Sequence, residues 1–180
     1  MTRVRILGLG NVLMGDDAFG PYAVRVLESL YDLPAGVVAE DVGTPGLDLV
    51  PYVSDTDILI VLDTVRSEGA PGTLRMYDRE AILKHAPQPR LSPHDPGLKE
   101  TLLTLTLHGE GPREVLLVGA IPGGSATGAP MSAPVRDAAV SAASLVAHHL
   151  ATRGILLERR AVATTPDIWW ETAGRAACTK

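Results

Sequence analysis

A chain of 180 residues, 46 % apolar and 21 % charged, is long enough to bury its own core and too apolar to be disordered, so one folded domain is expected. Sixteen Lys and Arg against twenty-one Asp and Glu give a net charge of −5 with no basic cluster, which argues against a nucleic-acid partner. The single cysteine, Cys178, excludes an internal disulfide and a cysteine-based zinc site, and no apolar run approaches the ~20 residues of a membrane span. The opening MTRVRILGLGN carries too short an apolar run for a signal peptide. The chain therefore reads as cytoplasmic, with no membrane and no nucleic-acid partner.

Val4 to Leu9 form an aliphatic strand that runs into a glycine-rich turn at Gly8, Gly10 and Asn11. Phe19, Tyr22, Ala23, Val26, Leu27 and Leu30 then recur at helical spacing and define one apolar face. Val37 to Val42 are a second strand. Thr44 is placed to cap a short helix with Pro45 at its first position, and Pro51 is expected to bend or end that helix. Asp57 to Asp63 is a continuous apolar run between two acids, the pattern of a central parallel strand buried on both faces. Gly72 to Tyr77 suit an edge strand, Asp78 to His85 a helix start, Ala86 to Pro93 a loop, and Asp95 to Leu107 a helix. Val115 to Ala120 are a buried strand, Pro122 to Pro130 a loop, and Val135 to Leu150 a long Ala-rich helix. Strands alternating with helices predict an α/β domain with a largely parallel sheet over residues 1–157, followed by a tail, 158–180, with no clear periodicity. In that tail, Trp169 and Trp170 are expected to pack back on the domain.

Three polar features fall where such a sheet binds ligands, outside the carboxyl ends of its strands. Asp16-Asp17 follow the first strand, Asp63 ends the central one, and His94 lies in a long loop that can reach them. Each has a plain alternative: acids cap helices, an Asp can simply end a strand, and a loop histidine is usually solvated. Taken together, Asp17, Asp63 and His94 make an incomplete metal site whose oxygen and nitrogen ligands suit zinc, nickel or manganese. Asp16 is read as a cap or loop holder, and Asp41 either lines the cleft or serves the turn at Gly43-Thr44. His85, His108, His148 and His149 stand outside these features. A dinucleotide site is disfavoured: Leu13 replaces the third glycine of the fingerprint, and two carboxylates at a helix mouth repel a pyrophosphate.

The segment Gly8-x-Gly10-Asn11-x-Leu13-x-x-Asp16-Asp17-x-x-Gly20 resembles the N-terminal signature of the [NiFe] hydrogenase maturation endopeptidases. Four further family patterns follow in order: Asp41-Val42-Gly43-Thr44-Pro45-Gly46; Leu59-Ile60-Val61-Leu62-Asp63 with Pro71-Gly72-Thr73; Ser92-Pro93-His94-Asp95-Pro96-Gly97-Leu98; and Val118-Gly119-Ala120-Ile121-Pro122. The resemblance spans roughly Arg3 to Leu150. It implies a three-layer α/β/α sandwich around a five-stranded sheet. It also implies one endoproteolytic cut that removes the C-terminal extension of a hydrogenase large-subunit precursor after nickel insertion. The nickel, carried by the precursor, is then the recognition element, and zinc or cadmium could stand in for it as a bound ion. The family's metal-contacting positions fall on Asp17, Asp63 and His94; the first is Glu in some members, one methylene longer than Asp17. Cys178 lies outside every motif, so a covalent thiol mechanism is not expected. The chain is expected to act as a monomer, since the precursor itself occupies the cleft. The rival reading is a non-catalytic nickel-sensing binding protein or chaperone on the same fold.

Overall fold

The computed structural model describes residues 2–45, 49–84 and 95–171. Its framework is a five-stranded sheet in the order β3-β1-β4-β6-β5, built from β1 (Val4–Leu9), β3 (Val37–Gly43), β4 (Ile58–Thr64), β5 (Leu74–Asp78) and β6 (Glu114–Ala120). Pairings β1–β3, β1–β4 and β4–β6 are parallel; the edge strand β5 runs antiparallel to β6.

The strand period of two sorts the core into two halves. Val4, Ile6, Ile58, Ile60, Leu62, Leu116 and Val118 face one side, where they meet α1 (Phe19–Leu30) and α5 (Ala133–Ala151). Leu7, Leu9, Leu59, Val61, Val115 and Leu117 face the other, against α2 (Val50–Val53), α3 (Arg79–Lys84) and α4 (Asp95–His108). Both faces are covered, which is why the central strands read as unbroken apolar runs. The result is the expected three-layer α/β/α sandwich. Packing is mostly aliphatic; Phe19, fully buried at the start of α1, is joined on that side by the buried Tyr22 and Tyr31. The expected face of α1 holds: Phe19, Tyr22, Ala23, Val26 and Leu27 are all buried.

One local expectation is corrected. Thr44 and Pro45 do not open a helix: α2 begins at Val50 behind Leu49, and Pro51 sits in its first turn, where a missing N–H costs nothing. Beyond residue 157, where the sequence shows no clear periodicity, the chain lies along the domain as far as Glu171. Glu158 and Arg159 (β7) pair antiparallel with Tyr31 and Asp32 (β2). The Arg160 N–H donates to Leu30 O (2.9 Å) and the Thr164 N–H to Ser29 O (3.1 Å). Trp170 packs on the α1/α5 core, as expected, while Trp169 stands edge-on to it, 51 % exposed. Residues 172–180, including Cys178, lie outside the described residues.

The order of the strands locates a crevice. From β1 the chain passes through α1 to β3 on one side, then returns to β4 on the other side of β1. The carboxyl ends of β1 and β4 therefore flank the point where the winding reverses, the place where open α/β sheets bind ligands.

Candidate active site

The loop after β1 is shaped by three glycines that allow backbone to meet backbone. A Cβ on Gly20 would lie 2.1 Å from Leu9 O and 2.3 Å from Leu62 O. One on Gly8 would lie 2.5 Å from Gly20 O, and one on Gly10, at φ +142°, 1.9 Å from Asp17 O. The first turn of α1 thus rests directly on the ends of β1 and β4, and only glycine fits at the contact. The glycines of the signature serve this close approach as well as the turn.

Between strand and helix, Gly15–Ala18 form a single 3₁₀ turn holding both acids. Successive residues there point about 120° apart. Asp16 (1 % exposed) and Asp17 (6 %) are both buried, facing different partners. Asp16 Oδ2 accepts from the N–H of Gly123 (2.7 Å), the N–H of Gly124 (3.2 Å) and the hydroxyl of Ser132 (3.0 Å). Its Oδ1 accepts from the Ser132 N–H (2.6 Å), and its own N–H donates to Gly124 O (3.0 Å). Asp16 is a loop holder, fastening the segment between β6 and α5 to the β1–α1 turn.

Asp17 turns toward the strand ends. Its Oδ2 accepts from the Asn11 N–H (2.9 Å) and its Oδ1 from the Thr64 hydroxyl (3.2 Å). Asp63 is the penultimate residue of β4, 1 % exposed, and its Oδ1 accepts from the Thr64 N–H (2.6 Å). Thr64 therefore touches both carboxylates, one through its side chain and one through its backbone. The structure brings Asp17 and Asp63 to neighbouring strand ends at the winding reversal. His94 lies outside the described residues, and among the described residues no group of three His, Cys, Asp or Glu is gathered to hold a metal. Asp41 takes the turn role: its Oδ1 accepts from the Gly43 N–H (3.1 Å).

Asn11 and Thr64 are the site residues that motif reading left without a role. Asn11 also accepts the Leu13 N–H on Oδ1 (3.0 Å) and the Met14 N–H on its carbonyl (3.0 Å), so it shapes the loop that delivers Asp17. Its place directly after Gly10, in the turn that follows β1, was the available signal. Thr64 gave none, since a Thr after a strand-ending Asp is unremarkable without knowledge of its neighbours.

His149 lies at the opposite end of β6, with Nε2 2.9 Å from the carboxylate of Glu114. Burial, seconded by the Arg153 charge, holds its imidazole below the usual histidine range, with Glu114 opposing. His148 and His108 are exposed.

The family model HycI, described as hydrogenase maturation protease, matches residues 21–149. This chain belongs to the hydrogenase maturation protease family. The hydrogenase expression/formation protein HupM of Azotobacter chroococcum mcd 1 is 37 % identical over 163 residues, covering 87 % of this chain and 76 % of that protein. The hydrogenase 2 maturation protease of Escherichia coli (strain K12) is 39 % identical over 121 residues, 67 % of this chain and 73 % of that one. The solved hydrogenase maturating endopeptidase HybD from E. coli superposes with a TM-score of 0.80 at 32 % identity, over 88 % of this chain and 98 % of its own. Among the described residues, no helix of this maturation protease is long and apolar enough to cross a membrane.

Proposed function

We propose that this maturation protease removes the C-terminal extension of a [NiFe] hydrogenase large-subunit precursor in the cytoplasm, after nickel insertion, and that Asp17, Asp63 and His94 recognise the nickel the precursor carries. One observation supports the reading above the others. In a chain of this family, two carboxylates are buried at the ends of adjacent strands where the sheet winding reverses.

The donor set suits the role. The Asn11 N–H and the Thr64 hydroxyl fix the orientation of the Asp17 carboxylate, an oxygen ligand of the kind a divalent metal accepts. Carboxylate and imidazole ligands from the protease then complete the coordination of a metal held by the substrate. The metal can orient the precursor and polarise the scissile carbonyl as a Lewis acid. What the protease itself supplies is position: Asn11 and Thr64 hold Asp17, and Thr64 holds Asp63. Close carboxylates can also share a proton and activate water, and metal dependence separates the two routes.

The test mixes purified protease with nickel-loaded precursor and, in parallel, with the nickel-free form, and follows the mass of the large subunit. Loss of one discrete C-terminal peptide from the nickel form alone is expected. Asp17→Asn, Asp63→Asn and His94→Ala should each abolish the cut while circular dichroism reports an unchanged fold. A stable complex with no loss of mass refutes the protease reading and favours a binding protein.

A further inference from the structure

Leu13 belongs to the family-like signature, yet it serves no core: it is 65 % exposed, three residues before a buried acid. Its backbone is nevertheless fixed at both ends. The Leu13 N–H donates to Asn11 Oδ1 (3.0 Å), and its carbonyl accepts from the Gly128 N–H (2.8 Å). An apolar side chain held outward on a rigid loop is organised for contact before any partner arrives.

Leu13 stands on the wall of a groove of about 420 Å³, lined also by Pro130, Met131 and Trp170. Gly15 and Ala18 line it as well, and they are the two ends of the 3₁₀ turn that carries Asp17. At a rise of about 2.0 Å per residue, that turn is only about 6 Å long. An extended chain crosses such a distance in about two residues. The groove is therefore continuous with the acid-bearing turn, and whatever lies in it leads onto the site.

Charge narrows the occupant. Among the described residues the one cationic side chain on the groove, Arg136, is bonded to Glu171 and lies over the Tyr22 ring, 4.8 Å from its centroid. Its charge is matched within the protein, so the groove favours an uncharged, apolar segment over an acidic or basic one.

We propose that this groove, with Leu13 at its rim, seats an uncharged apolar stretch of the precursor beside the bond to be cut. The occupant rests on the processing reading above; the groove's role in binding can be measured separately. Leu13→Asp and Leu13→Met are compared with the unaltered protease in two assays on nickel-loaded precursor. One is complex formation in an Asp63→Asn background, where no cut is expected; the other is cleavage at varied precursor concentration. Removing a large apolar contact predicts a Kd and a KM raised about tenfold or more for Leu13→Asp. The kcat stays within about twofold, Leu13→Met behaves like the original, and melting temperatures stay equal because Leu13 is exposed. Unchanged Kd and KM in a protease that cuts overturn the groove and leave the processing reading intact. Leu13-dependent binding without any cut by the unaltered chain upholds the groove and sinks the protease reading. A dimer that Leu13→Asp converts to monomer overturns the proposal in favour of a second copy of this chain as occupant.

Discussion

Replacing Asp16 with Asn alters one atom and should unfasten a loop. The carboxylate accepts four hydrogen bonds, three on Oδ2 and one on Oδ1, all from donors. An amide must turn its NH₂ toward one of these sets. The better choice places it against Ser132 N–H, so that one bond is lost and two donors face each other. A buried donor left without its charged acceptor costs about 1–3 kcal/mol. The three surviving bonds change from charged to neutral acceptor and weaken by about 0.5 kcal/mol each. The sum is about 3 kcal/mol, which in a chain of this length lowers the melting temperature by about 6–12 °C. Thermal unfolding measures the loss, and amide hydrogen exchange locates it: Gly123, Gly124 and Ser132 should lose protection while the strands of the sheet keep theirs. A melting temperature within about 2 °C of the original, with those three amides still protected, would refute the claim that Asp16 anchors the loop.

Gly20→Ala should be worse than its chemistry suggests. The new methyl meets Leu9 O at 2.1 Å and Leu62 O at 2.3 Å, both backbone, so α1 must lift off the sheet at a cost of about 3 kcal/mol or more, read as a lowered melt. Gly43→Ala has open space around it and suffers only the strain of φ +60°, about 1–2 kcal/mol, so the two variants rank the contact against the conformation in one experiment. Stability should also fall as pH drops below about 6.5. The folded His149 holds its proton less tightly than the unfolded one, so acid favours the unfolded chain in the window between the two pKa values. Melts between pH 7.5 and 5.5 test this, and His149→Gln should flatten the dependence.

What could be read in the sequence was what local pattern controls. The run from Ile58 to Leu62 is apolar because β4 is covered on both faces, and the same fact made it legible. The amphipathic period of α1 was visible for the complementary reason, that it buries one face. Where short-range chemistry competes with packing, local reading failed. Thr44-Pro45 has the form of a helix start, yet the helix begins at Val50, where Leu49 and Val53 can reach the core beneath the sheet. The two-residue strands β2 and β7 join positions more than 120 residues apart and carry no periodicity of their own. At the site, the residue types and their place at strand ends marked Asp17 and Asp63, because the fold class fixes where such a sheet binds. The partners that orient them, above all the Thr64 hydroxyl 47 positions from Asp17, arise from the adjacency of β1 and β4, which no local pattern encodes.

Adjacent acids with different duties follow from the geometry of one turn. In a strand or an α-helix, neighbours would also diverge, but the tight 3₁₀ turn delivers the divergence within four residues, at the mouth of the crevice. Asp16 turns to the segment that ends in Ser132, whose residues Gly128 to Met131 form a wall of the Leu13 groove. Asp17 turns to the strand ends. The groove wall and the Asp17 carboxylate are thus fastened to the same four residues, and those residues are set by glycine contacts too close to slide. A change that loosens the turn should therefore weaken precursor binding and displace Asp17 together, whereas a change at Leu13 touches binding alone. Comparing Asp16→Asn with Leu13→Asp in the same cleavage assay makes that difference measurable: kcat and KM should both worsen in the first, and KM alone in the second.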